Sequence, residues 1–148
     1  KVEFMSETTP KNDKWDKMKE FDFDIVVVGG GNAALCAAIS AKEQDKSLKI
    51  ALLESSPQKW RGGNSQHTRN LRSMHDAPTD VLTQTYSEDE FFDDVFKVTK
   101  GQTNEEYARF VISRTPQAVE WAKKHGVRFQ PSMRGTLHLG RTNAFFLG

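Results

Sequence analysis

The sequence predicts an α/β fold built on a parallel βαβ unit, and three observations predict it. An apolar run, Ile25 to Val28, stops at a glycine turn, Gly29-Gly30-Gly31. An Ala-rich stretch follows, with Ala33, Ala34, Ala37, Ala38 and Ala41. A second apolar run, Ile50 to Leu53, ends in the acid Glu54. Short continuous apolar runs bounded by turn residues mark strands buried in a parallel sheet. Parallel strands need a crossover, and small residues make a helix thin enough to lie close to them.

The first strand spans about 23–28. Its exit, Gly29-x-Gly31-x-x-Ala34, is the turn of a Rossmann-like dinucleotide-binding unit. Gly29 permits the tight turn, Gly31 presents no side chain to a pyrophosphate, and Ala34 lets the helix approach the strand. The helix runs from Asn32 to about Glu43. At its start, Asn32 and Ala33 offer free N–H groups and a positive dipole end to phosphate. The second strand covers about 48–54. Glu54 lies about twenty residues past the turn, where an acid meets the adenosine ribose hydroxyls. An acid there disfavours a 2′-phosphate and hence NADP. A glycine triplet alone is a common loop, but strand, turn, helix, strand and acid in this order form the context the motif requires.

Residues 55–87 are rich in Gly, Pro and polar side chains and are expected to be irregular, which at that length marks a functional or disordered segment. Three helices should follow. Ser87-x-x-Glu90 and Thr103-x-x-Glu106 read as capping boxes, and Thr115-Pro116 as a third start with proline at the first position. Gly101 should end the first of these helices and Lys123-Lys124-His125-Gly126 the third. Phe91, Phe92, Val95 and Phe96, then Tyr107, Phe110 and Val111, then Val119, Trp121 and Ala122 read as core rather than as cofactor-stacking groups. Short extended segments are expected at Val127–Gln130 and Thr136–Leu139.

Bulk properties narrow the function classes. The chain has 148 residues, enough for one core. Lys plus Arg number 21 and Asp plus Glu 20, so the net charge of +1 supplies no basic field for nucleic acid. No apolar run approaches the length of a membrane span, and no metal-ligand set is expected. The single cysteine, Cys36, rules out an internal disulfide and suits a reducing, cytoplasmic setting. It is expected to be a small buried packing residue. Residues 1–20 are polar, lack the apolar core of a signal peptide, and read as a mobile lead-in with a short helix around Trp15–Lys19. Lys1 as first residue reads as a processed or partial chain. The domain is assigned to 21–148.

The segment after Glu54 points to FAD rather than NAD. Arg61-Gly62-Gly63-Asn64-Ser65-Gln66-His67-Thr68-Arg69-Asn70 takes the place of a further βαβ unit. Paired glycines admit close backbone approach and can form an anion nest, while Asn64, Ser65 and Thr68 add hydrogen bonds. Two other readings remain: an NAD-only dehydrogenase, which this segment disfavours, and a noncatalytic nucleotide-binding unit, which flavin absorption on the purified chain would separate.

With Val-Val-Gly-Gly-Gly-Asn-Ala-Ala-Leu-Cys-Ala-Ala, Leu-Leu-Glu and Arg-Gly-Gly-Asn-Ser-Gln-His-Thr-Arg-Asn, the chain resembles the fumarate reductase/succinate dehydrogenase flavoprotein family. Gly-Val-Arg-Phe-Gln at 126–130 and the run at 135–148 resemble its tricarballylate dehydrogenase branch in particular. The resemblance covers about 23–148. It implies noncovalent FAD, with Gly29, Gly31, Asn32 and Ala33 on the pyrophosphate and Glu54 on the ribose. Gly62, Gly63, Asn64 and Ser65 would pass near pyrophosphate and flavin, and Thr68 to Asn70 near the ring. Some relatives attach FAD to a histidine in this loop. His67 is close by, but Gly-Gly-Asn-Ser stands where the linking histidine is expected. Arg69, His138 and Arg141 would face an anionic substrate.

The resemblance further implies a small di- or tricarboxylate substrate and hydride transfer to flavin N5. It also implies electron delivery to a membrane iron–sulfur partner. Family proteins are longer, with a substrate-capping domain and a return segment that closes the fold. On that basis this chain alone should turn over little. It should also expose an unpaired sheet edge and an uncovered apolar face, with the 61–80 loop poorly ordered without flavin.

Overall fold

The computed structural model describes residues 3–5 as backbone, and 20–132 and 139–147 in full. The helix expected at Trp15–Lys19 lies outside the described residues. The chain forms two compact units, 1–68 and 69–148, and the α/β expectation holds.

The first unit is the βαβ element. Its strands are β1 (Glu3–Met5), β2 (Ile25–Val28) and β3 (Ile50–Leu53), and its helix is α1 (Asn32–Gln44). The sheet is parallel with order β1-β3-β2, and Ile25 stands opposite Ile50 and Val28 opposite Leu53. Side chains alternate across a sheet. Ile25, Val27, Ile50 and Leu52 therefore share a face, and they pack on Ala34, Ala38, Ala41 and Leu48. Small residues on α1 make that close packing possible. Val26 and Val28 occupy the other face and are 53% and 84% exposed. Among the described residues the outer edge of β2 is unpaired.

β1 departs from the expected lead-in, because it adds a strand to β3 with Glu3 opposite Ala51. Three residues are too few to show a period, and the pairing partner lies far along the chain, so no local pattern announces it. Cys36 is partly exposed rather than buried, and its thiol points to Asn32 Oδ1 at 3.8 Å.

The second unit pairs an antiparallel sheet with three helices. Its strands are β4 (Asn70–Arg72), β5 (Phe129–Gln130) and β6 (Asn143–Phe146), in the order β4-β6-β5. Its helices are α2 (Glu88–Val98), α3 (Glu105–Ser113) and α4 (Thr115–Lys124). Tyr86, Phe91, Phe92 and Ile112 form one core with Met74, Val95 and Ala108 against it. Val81, Leu82 and Ala144 form another with Phe129.

The irregular 55–87 segment is more ordered than expected. It holds 3-10 turns at Gln58–Trp60 and Gly63–His67, strand β4, and a bridge between His75 and Tyr86. The partner of β4 comes from distant sequence, which hides that strand from a local reading. In the expected Thr136–Leu139 segment, 136–138 lie outside the described residues, and Leu139 opens a 3-10 turn to Arg141.

The helix ends test the capping assignments. Ser87 and Glu90 form the expected box, and Gly101, at φ +78°, closes α2 by donating to Phe96 O. The second box is displaced. Asn104, not Thr103, caps α3, its Oδ1 accepting from Tyr107 N at 2.8 Å. Ala108 and Ile112 then face α2 one turn apart, while Tyr107, Phe110 and Val111 are 69%, 58% and 46% exposed. The core assignment of those three is corrected accordingly. Pro116 sits in the first turn of α4, one place after its first residue, Thr115. Asn104→Ala should cost about 1 kcal/mol and Thr103→Ala much less. Urea denaturation of the two variants measures the difference, and equal losses would restore the Thr103 cap.

Among the described residues, no helix is long and apolar enough to cross a membrane, and no group of His, Cys, Asp and Glu is arranged to hold a metal.

Candidate functional site

Most of the residues expected to bind a dinucleotide come together in the first unit. Strand β2 ends at Gly29, whose φ of +113° is a conformation that side chains rarely adopt. Its amide donates to Leu53 O at 2.6 Å, which ties the turn to the end of β3. Gly31 caps α1 without a side-chain bond. The first amides of a helix have no intrahelical acceptor. Asn32 N–H donates to Ser65 Oγ at 2.9 Å, whereas the amides of Ala33 and Ala34 take no acceptor among the described residues.

Glu54 leaves the end of β3 and turns back on the glycines. Its Oε2 accepts from Gly30 N–H at 3.0 Å and from Gly62 N–H at 3.2 Å. Its Oε1 accepts from Ser56 N–H at 2.8 Å. The Ser56 and Gly62 amides, helped by that of Gly30, hold the carboxyl below the usual glutamate range, against a smaller opposing effect of desolvation. Hydrogen bonds to the charged form act in that direction. A depressed folded value stabilises the fold above the ordinary glutamate value of about 4.3. That stability is lost as pH falls through the lower folded value. The Ser56 and Gly62 amide resonances should therefore titrate together with a midpoint below the ordinary value. Independent midpoints, or none, would mean that they do not share one carboxylate.

The geometry suits a dinucleotide. A Cβ built at Gly29 or Gly63 would meet nothing within 4 Å, so both backbones are open to approach. Gly62 and Gly63 adopt φ +87° and +51° and start the 3-10 turn that carries Asn64 and Ser65. Asn64, His67 and Thr68 are exposed there. Thr68 closes the turn, its amide donating to Ser65 O at 3.3 Å.

The remaining expected site residues belong to the second unit. Asn70 begins β4, and its Oδ1 accepts from Asn143 Nδ2 at 2.8 Å. Arg69 is exposed, with its carbonyl accepting from Phe146 N–H. Arg141, expected to face substrate, is held internally. Its Nη1 donates to Glu90 Oε1 at 3.0 Å and Thr85 O at 2.7 Å, and its guanidinium lies 5.1 Å from the Tyr86 ring centre. His138 lies outside the described residues.

Two contributors, Gly30 and Ser56, escape the sequence reading, and a third, Ser65, has a role besides the one read for it. Gly30 fills a variable slot of the glycine motif, yet it is the buried glycine, and a Cβ there would sit 2.6 Å from Glu54 Oε2. Ser56 adds an amide to Glu54. Ser65 was read as a ligand contact, but its tie to Asn32 spans 33 residues. The middle glycine of the triplet is the one available signal.

The family described as FAD binding domain matches residues 24–145. NADH:fumarate oxidoreductase of Klebsiella pneumoniae (strain 342) is 27% identical over 123 residues, covering 82% of this chain and 13% of that protein. L-aspartate oxidase 1 of Ralstonia nicotianae (strain ATCC BAA-1114 / GMI1000) is 28% identical over 124 residues, covering 81% of this chain and 21% of that protein. The chain thus spans about an eighth and a fifth of these relatives.

Proposed function

Because the chain belongs to the FAD binding domain family, we propose that it forms the adenosine and pyrophosphate cradle of an FAD-dependent oxidoreductase acting on a small di- or tricarboxylate. FAD is the cofactor of that family. The observation that carries the reading is one unit that unites the open Gly29 turn, the α1 amides of Ala33 and Ala34, and Glu54 at the end of β3. The α1 amides and dipole hold the pyrophosphate. Glu54 holds the ribose, and Gly63 and Asn64 line the approach to the flavin.

When bound, FAD supplies the redox chemistry, accepting at N5 a hydride from a substrate carbon while the neighbouring carbon loses a proton and a C=C bond forms, or the reverse. The names of both relatives contain small dicarboxylates, fumarate and L-aspartate, which supports that substrate class. Fumarate fits it as well as tricarballylate does. In this reading Arg69, with His138, faces a substrate carboxylate. FAD is held noncovalently, in line with the absence of a histidine from Gly62 to Ser65. An iron–sulfur protein at the membrane receives the electrons.

Equilibrium dialysis of the purified chain against FAD, NAD and NADP tests the cofactor. FAD should be retained selectively and released into the supernatant on acid precipitation. Equal retention of NAD would overturn the flavin reading, and a flavin mass adduct on the His67 peptide would overturn noncovalent attachment. Dye-linked assays with fumarate and tricarballylate test the substrate class.

A further inference from the structure

We propose that Glu54 and Ser65 are positioning residues that seat the second glycine segment, residues 57–67, on the first glycine turn before any cofactor binds. The proposal deepens the FAD reading and rests on it only for the identity of the ligand.

Two side chains make the joint. Glu54 joins Gly30 to Gly62 through one oxygen, accepting from both amides at 3.0 and 3.2 Å. Its other oxygen takes Ser56 N–H at 2.8 Å, which aims the chain into the segment. Ser65 accepts from Asn32 N–H at 2.9 Å and so fixes the far end of the segment on the start of α1. A carboxylate offers about four acceptor sites; the Gly30, Gly62 and Ser56 amides take three, and the Ser56 hydroxyl also bonds the carboxylate. A ribose hydroxyl would therefore reach Glu54 by displacing the Ser56 hydroxyl, which leaves the amides that hold the loop in place.

The backbones confirm the fit of the two segments. A Cβ at Gly62 would lie 3.4 Å from Gly30 O, and one at Gly31 would lie 3.5 Å from Gly62 O and 3.4 Å from Ser65 Oγ. Glycine on both sides brings the chains this close. FAD then meets a preformed wall, and the entropy of ordering that wall is a cost of folding rather than of binding. The Ser65 hydroxyl has a proton left to donate to an incoming phosphate oxygen.

Residue-resolved amide hydrogen exchange on the cofactor-free chain tests this. Gly30, Gly62 and Asn32 amides should exchange at least about tenfold more slowly than unstructured chain. Glu54→Ala should return Gly62 and Gly30 to near-unstructured rates while the amides of Ile25–Val28 and Ile50–Leu53 stay protected. Glu54→Gln, which keeps an oxygen acceptor, should have a partial effect, and Ser65→Ala should release Asn32 alone. Gly62 that is unprotected in the wild type until FAD is added would overturn the proposal. So would full protection in both Glu54→Ala and Glu54→Gln. Should Glu54→Ala not fold, the wild type, Glu54→Gln and Ser65→Ala still decide. Protection without FAD uptake would support the joint and overturn the FAD reading instead.

Discussion

Gly30→Ala should weaken FAD retention by about a hundredfold, while Gly31→Ala should leave most of it. The added methyl at Gly30 would lie 2.6 Å from Glu54 Oε2 and 3.2 Å from both Cβ and Cγ of Glu54. The end of a glutamate can swing away, but its Cβ cannot, so the carboxylate must leave the Gly30, Gly62 and Ser56 amides together. The ribose contact and the seat of the second glycine segment are then lost in one step. At Gly31 the same methyl meets Ser65 Oγ at 3.4 Å, an ordinary contact. Gly31→Val is different again, because its branched carbons fill the space through which the pyrophosphate approaches, and flavin should be lost by exclusion. Flavin fluorescence titration of the three variants ranks them. A Gly30→Ala chain that binds FAD as tightly as the wild type would remove Glu54 from the cradle.

That ranking also shows where sequence reading stops. The turn, the thin helix, the two strands and Glu54 lie within about thirty residues, and each is written in a local period or a residue type with one physical use. The Ser87 cap was legible for the same reason, since capping side chain and amide are three residues apart. What escaped depends on distance along the chain. Arg141 meets Glu90 across 51 residues, and no spacing rule reveals that its charge is already paired. Strand β6 lies between β4 and β5 only because the chain returns from far away, and its Asn143 and Ala144 are buried. The α3 error is subtler. Thr103 and Asn104 are both good caps, and a shift of one residue turns a helix by about 100°. In the fold, Ala108 and Ile112 take the core side, while Tyr107, Phe110 and Val111 are exposed to solvent. Local chemistry identifies the helix, but packing against α2 chooses the face.

Phe92→Ala should be the largest purely structural loss, about 3–5 kcal/mol. The ring is buried among Tyr86, Phe91 and Ile112, and its removal leaves a cavity where α2 meets α3. Its face also carries Arg109, whose guanidinium lies 4.3 Å from the ring centre while bonding Glu88, Asp89 and Glu105. Deleting the ring therefore unseats a cation that ties the start of α2 to α3. A loss of that size is a large part of the stability of a typical domain. Amide exchange should show α2 and α3 opening first, while β2 and β3 of the other unit keep their protection. Phe96→Ala is the control, since Phe96 is half exposed and its loss should be small. If Phe92→Ala melts like the wild type, or if both units lose protection together, the aromatic cluster does not hold the helices and the second unit has no separate stability.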